Sequence, residues 1–125
     1  MDVGIKMTGL TTHVLDLTHG IPAANVTIDL YFQEDHSLEW KHIKTAVTNA
    51  DGRLDHPLLT EAEMKIGNYE LLFHIGNYYR GNNIDLHHPL FLDKIPVRFG
   101  LANKNVHYHV PLLVSPFGYQ VYRGS

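Results

Sequence analysis

The chain has 125 residues, 10 Lys+Arg against 13 Asp+Glu, a formal charge of −3 and no cysteine. That length suits one domain with a core of its own. Missing thiols exclude a disulfide framework, thiolate zinc sites and a Cys nucleophile, and without a basic stripe neither nucleic acid nor an anionic membrane is an expected partner.

The first residues, MDVGIKMTGL, contain no long apolar core and no small-residue cleavage site. No stretch approaches the roughly 20 apolar residues of a membrane span. A cytoplasmic protein is expected, or a periplasmic one whose leader has been removed. Residues 1–9 read as an N-terminal extension and 10–125 as a single domain. Residues 10–17 predict a strand with Thr12 and Val14 inward and His13 and Leu15 outward, because successive strand side chains point to opposite faces. Thr18-His19-Gly20-Ile21-Pro22 turns the chain. Residues 25–32 alternate cleanly, with Val26, Ile28, Leu30 and Phe32 on one face. Residues 40–48 form a weaker strand, with Trp40 as a core or sheet-face anchor. Asn49-Ala50-Asp51-Gly52 carries the Asp-Gly pair that favours a hairpin, since glycine accepts φ > 0. A weak strand is expected over 54–59, and Thr60 to Glu63 fits a capping box.

Residues 69–75 place Tyr69, Leu71, Phe73 and Ile75 on one face, and one short helix fits near 76–83. Residues 95–101 repeat the alternation with Ile95, Val97, Phe99 and Leu101. Residues 106–114 turn Val106, Tyr108 and Val110 inward and His109, Pro111 and Leu113 outward. Ser115-Pro116-Phe117-Gly118 is a tight connection to a last strand over 119–123, a weakly protected edge that invites pairing into a homo-oligomer. Eight short strands with frequent turns and one short helix predict an all-β sandwich.

Ten histidines are a heavy load of groups that titrate near neutrality. His107 and His109 stand two apart on a strand, so both imidazoles share a face. They read as a metal pair, as a binding and acid–base pair, or as solvated surface groups. His13 alone reads as surface, Arg53 as an ordinary residue after a turn, and Asp51 as turn chemistry. His19, His36, His42, His56, His74, His87 and His88 have no spacing that demands a role and read as surface or edge groups. The apolar, aromatic end of the chain predicts a docked C-terminus. No Ser-His-Asp spacing, phosphate loop or dinucleotide loop occurs.

Three groups of segments together resemble one family. Thr12-His13-Val14-Leu15-Asp16 with Gly20-Ile21-Pro22-Ala23 is similar to the opening of the transthyretin-related proteins. Asp51-Gly52-Arg53-Leu54 is similar to their second signature. His107-Tyr108-His109-Val110-Pro111-Leu112-Leu113, Ser115-Pro116-Phe117-Gly118-Tyr119 and Tyr122-Arg123-Gly124-Ser125 are similar to their third. The hormone-carrying branch lacks the first His, the Arg after the turn, the second His of His-Tyr-His and the terminal Tyr-Arg-Gly-Ser. This chain has all four, and so resembles the branch that hydrolyses 5-hydroxyisourate.

The resemblance implies a transthyretin-like (prealbumin-like) sandwich of two four-stranded sheets with one short helix. It implies a homotetramer with sites in the channel between dimers, the small-molecule substrate 5-hydroxyisourate, and no cofactor or metal. By position it marks His13, Arg53, His109 and Ser125 as catalytic, and His13, Arg53 and Tyr122 as substrate-binding. His107 falls outside the reacting set. The segment 76–83 is richer in Gly and Asn than the family's helix.

The chemistry agrees with the resemblance. Opening a cyclic acyl–nitrogen bond needs an activated water, a stabilised oxyanion and a proton for the leaving nitrogen. A neutral imidazole can take the water's proton, and a guanidinium fork can hold a planar, electron-rich ring or the oxyanion. Two imidazoles beside an Arg favour each other's neutral form. Spacing does not decide which imidazole is the base; the assignment adopted is His109, with His13 orienting water or substrate and Ser125 completing the hydrogen-bond network. An outward face that mixes imidazole with Leu and Pro fits a surface covered by assembly. The alternatives are a carrier of hydrophobic aromatic ligands, and a zinc hydrolase built on His13, His107 and His109.

Overall fold

The computed structural model describes residues 9–82 and 86–124. Its strands are β1 (Leu10–Asp16), β2 (Ile21–Pro22), β3 (Thr27–Gln33), β4 (Lys41–Val47), β5 (Gly67–His74), β6 (Lys94–Leu101), β7 (Tyr108–Ser115) and β8 (Gly118–Val121), with helix α1 (Ile75–Gly81) after β5. They form two four-stranded sheets, ordered β2-β1-β7-β8 and β4-β3-β5-β6. The β1/β7 pair is parallel, and the other neighbours are antiparallel.

The inner faces hold the residues that alternation predicted. Val14, Ile28, Leu30, Leu71, Phe73, Leu112 and Val114 are completely enclosed. Burying one such side chain is worth about 1.5–3 kcal/mol, so the interlocked sheets follow from the period-2 pattern. Asp16 is the charged residue on the inner face of β1, and it is fully satisfied. Its Oδ1 accepts the Thr18 N–H at 2.9 Å, and its Oδ2 accepts His19 Nδ1–H and the Tyr78 hydroxyl, each at 2.7 Å. Burial would raise the Asp16 pKa, but these bonds, led by His19, hold it below the usual carboxylate value. The network ties the end of β1 to α1.

Several expectations need correction. Residues 54–59 form no strand; only Leu59 bridges back to Leu10. Pro57 has no N–H to give a ladder, and the eighth strand is instead Ile21–Pro22 against the end of β1. The Asp51-Gly52 turn therefore does not join two paired strands. Val106 precedes β7 and is 38% exposed. Pro111, expected outward, is buried. The last strand ends at Val121, so Tyr122 and Arg123 lie beyond the edge strand β8.

The polar segment near 76–83 does form a helix, Ile75–Gly81, because Ile75, Tyr78 and Tyr79 recur at helical spacing and are buried. Asn83, at the end of that expectation, lies outside the described residues, as do residues 1–8 of the N-terminal extension. Trp40 sits on the outer face of the second sheet, with the Arg98 guanidinium 4.6 Å from its ring centroid. No described helix is long and apolar enough to cross a membrane.

Candidate active site

The parallel register of β1 and β7 sets Thr11 opposite His109 and His13 opposite Pro111. Thr11, His13 and His109 thus share the outer face of the first sheet, with His13 one step diagonal from His109. Leu15 and Leu113, paired two residues further on, continue the same face and are half-buried.

The Asn49–Arg53 turn closes over this face. Asn49 Oδ1 accepts the N–H groups of Asp51 at 2.9 Å and Arg53 at 3.2 Å, which winds the turn tightly. Gly52 sits at φ +73°, and a Cβ there would collide with the Val14 carbonyl. Only glycine fits, because the turn packs directly on β1: the Val14 N–H donates to the Gly52 carbonyl at 2.8 Å. This docking delivers two groups to the imidazoles. The Asp51 carbonyl lies 2.9 Å from His13 Nε2, and Arg53 follows immediately, exposed. A carbonyl only accepts, so His13 carries its proton on Nε2 and leaves Nδ1 as a lone pair.

His109 is held from the other side. Its Nδ1 lies 2.8 Å from Thr11 Oγ1, and the same hydroxyl lies 3.3 Å from His107 Nε2. The two imidazole rings are nearly parallel, with centroids 6.1 Å apart. The Gly124 N–H donates to the His109 carbonyl at 2.7 Å, and a Cβ at Gly124 would press into the His109 ring at 2.7 Å. Gly124 is therefore pinned against His109, as a docked C-terminal segment requires. Ser125 follows Gly124 and lies outside the described residues.

Both imidazoles are pushed below their ordinary pKa. For His13 the causes are burial and then the Arg53 charge, opposed by the Asp51 carbonyl. For His109 they are burial, Arg53, and then His107 and His13, opposed by the Thr11 backbone. Burial and the Arg53 charge both favour the uncharged rings at neutral pH. The face thus offers two neutral imidazoles, a guanidinium and hydroxyl support, a set suited to moving a proton and stabilising an anion.

The structure brings His13, Arg53 and His109 together and places Tyr122 elsewhere. Tyr122 is half-exposed and lines an apolar cleft of about 200 Å³ with Val97, Phe99, Tyr108, Val110 and Val121. His107 is not a plain surface group: it is half-buried and bonded to Thr11. His74 departs from expectation too, since it is only 17% exposed and bonds Asp29 at 2.8 Å on the other sheet. Among the described residues no group of three His, Asp or Glu is arranged to hold a metal ion. Sequence reasoning missed Thr11 and the Asp51 carbonyl. Parity could have found Thr11, two residues before His13 on the same face; a backbone carbonyl leaves no trace in side-chain patterns.

The HIUase/Transthyretin family model matches residues 10–124. A 5-hydroxyisourate hydrolase from Mesorhizobium japonicum is 54% identical over 116 residues, 93% of this chain and 91% of that protein. The structure of Klebsiella pneumoniae 5-hydroxyisourate hydrolase superposes with a TM-score of 0.72 at 28% identity, covering 93% of this chain and 98% of that one. The crystal structure of transthyretin from Sparus aurata superposes at 0.79 with the same 28% identity, covering 92% and 95%. Backbone likeness alone does not separate a hydrolase from a transthyretin; the relative at 54% identity is a hydrolase. The chain belongs to the HIUase/Transthyretin family.

Proposed function

We propose that this protein hydrolyses 5-hydroxyisourate to 2-oxo-4-hydroxy-4-carboxy-5-ureidoimidazoline in urate degradation, using His13, Arg53, His109 and Ser125. The single observation that carries this reading is the His13–Asp51 hydrogen bond beside Arg53. It supports a neutral imidazole with a free Nδ1 lone pair on the face where a second imidazole and a guanidinium meet.

In this reading His13 Nδ1 takes a proton from water as the water oxygen bonds to the ring carbonyl carbon. Arg53 and a His109 N–H face the oxygen that becomes negative. The carbon–nitrogen bond then breaks, and the proton on His13 passes to the leaving nitrogen, which returns both imidazoles to their starting state. General-base transfer of this kind is worth about 10²–10⁴-fold, and loss of one oxyanion donor costs about 10²–10³-fold. The assignment exchanges the roles expected from sequence for His13 and His109, because the Asp51 carbonyl favours the free lone pair on His13. Ser125 and Tyr122 remain assigned from the terminal Tyr-Arg-Gly-Ser alone.

A homotetramer completes the proposal. Leu17 and Phe117 are each more than half exposed, and β8 is an open edge, which supports coverage of this end of the first sheet by further copies. The test follows the ultraviolet decay of freshly generated 5-hydroxyisourate. Decay faster than in buffer is expected; decay at the buffer rate ends the proposal. A fully active monomer on sizing would remove the tetramer from it.

A further inference from the structure

We infer that the Thr11 hydroxyl is a positioning group that fixes the tautomer of His109, keeping the His109 proton on Nε2 through a chain that begins at His107. The inference rests on the proposed role of His109 as an N–H donor to the developing oxyanion.

Thr11 is almost fully buried, and its Oγ1 touches two ring nitrogens, His109 Nδ1 at 2.8 Å and His107 Nε2 at 3.3 Å. A hydroxyl has one proton and two lone pairs; accepting from both rings would leave the proton of this almost fully buried hydroxyl without a partner among the described residues, so it donates to one ring nitrogen and accepts from the other. Two arrangements are open. In the first, His107 Nε2–H donates to Thr11, and Thr11 donates to His109 Nδ1, which leaves the His109 proton on Nε2. In the second every bond is reversed: His109 carries its proton on Nδ1, and His107 carries its own on Nδ1.

Two observations select the first arrangement. His107 Nδ1 is enclosed and has no hydrogen-bond partner among the described residues. The second arrangement would bury an unpaired N–H there, and orphaned buried donors are rarer than under-satisfied acceptors. The distances agree as well. An O–H donor makes the shorter bond and an N–H donor the longer one. The short contact is on the His109 side.

The consequence for the site is direct. With Nδ1 occupied by the Thr11 hydroxyl, His109 presents an N–H rather than a lone pair, while His13, held at Nε2 by the Asp51 carbonyl, presents a lone pair. Two imidazoles on one face are thereby set to opposite tasks by two different backs. His107 becomes the source of that polarity rather than a spare surface histidine. The charged and titratable groups that bear on His109 are Arg53, His107 and His13.

The test is a ¹⁵N spectrum of the histidine rings in the full-length protein near pH 8, with the His109 signals identified by their loss in His109→Gln. Wild-type His109 is expected as the Nε2–H tautomer; an Nδ1–H tautomer overturns the inference whether or not any variant folds. Thr11→Val is expected to release the tautomer and to lower kcat about tenfold, the equivalent of one hydrogen bond, with KM little changed. Thr11→Ser is expected to restore both. If Thr11→Val leaves the tautomer or kcat as in wild type, the inference fails. Full activity in His109→Gln is a separate result, and it would remove the catalytic reading of His109 itself.

Discussion

Histidines decorate the outer faces of both sheets, and the two faces treat them in opposite ways. On the β4-β3-β5-β6 sheet, Asp29 lies between His42 and His74, with Nε2 distances of 3.0 and 2.8 Å, and the Thr45 hydroxyl donates to the same carboxylate. Burial alone would raise the Asp29 pKa, but the bonds from Thr45, His74 and His42 hold it at about 2. On the β2-β1-β7-β8 sheet, His13 and His109 meet a carbonyl, a hydroxyl and a guanidinium instead. A carboxylate partner turns imidazoles into components of a hydrogen-bonded cluster. Arg and partial burial keep them neutral and free to exchange a proton. The same residue type thus serves stability on one sheet and the proposed chemistry on the other, and the neighbour decides which.

The sharpest way to break this contrast is substitution on both faces. His13→Ala, Arg53→Ala and His109→Ala are each expected to lower kcat/KM at least about 10²-fold, while His42→Ala and His74→Ala stay within about threefold of wild type. Steady-state decay of 5-hydroxyisourate measures this, and equal losses on both faces would erase the distinction. Removing residues 122–125 is expected to abolish turnover with the circular dichroism spectrum retained. Unchanged turnover in that folded, shortened chain would take Ser125 and Tyr122 out of the site.

Asp29→Asn probes the other face. Its carboxylate is 15% exposed, and the depressed pKa corresponds to about 1–2 kcal/mol once solvent screening is allowed for. The folded-state pKa lies below the unfolded one, so this stability is complete above about pH 4 and is lost as pH falls toward about 2. Denaturant titrations of wild type and Asp29→Asn should converge over that window, with activity at neutral pH unaffected. A difference that persists to pH 2 would contradict the assignment.

The smallest expected effect is on titration. The His13 and His109 pKa values lie below 6.5, first through burial and next through Arg53. Arg53→Gln should raise both in a nuclear magnetic resonance titration. A fall in either value would reverse the proposed sign of the Arg53 effect.

Much of this molecule was legible in one dimension. Alternation predicted the buried faces of β1, β3, β5 and most of β6 and β7, because a strand has only two sides and one of them must leave water. His13 on the outer face of β1 and His109 on that of β7 followed from the same parity. Residues 54–59 escaped because their mixed pattern looked extended while Pro57 denied them a ladder. The helix Ile75–Gly81 was partly concealed by Gly and Asn, since its three inward side chains, Ile75, Tyr78 and Tyr79, carry the only helical signal.

Sequence by itself determined the sandwich class, the family and the side of each strand that carries the imidazoles, since these depend on local periodicity and on ordered motifs. Only the tertiary structure decided that β1 runs parallel to β7 with Thr11 opposite His109, that the Gly52 turn lays a carbonyl on His13, and that one hydroxyl lies between two imidazoles. Those facts join residues about 40 to 100 positions apart in the chain. No local pattern encodes such a pairing; it is set by how two independently predictable strands share one core.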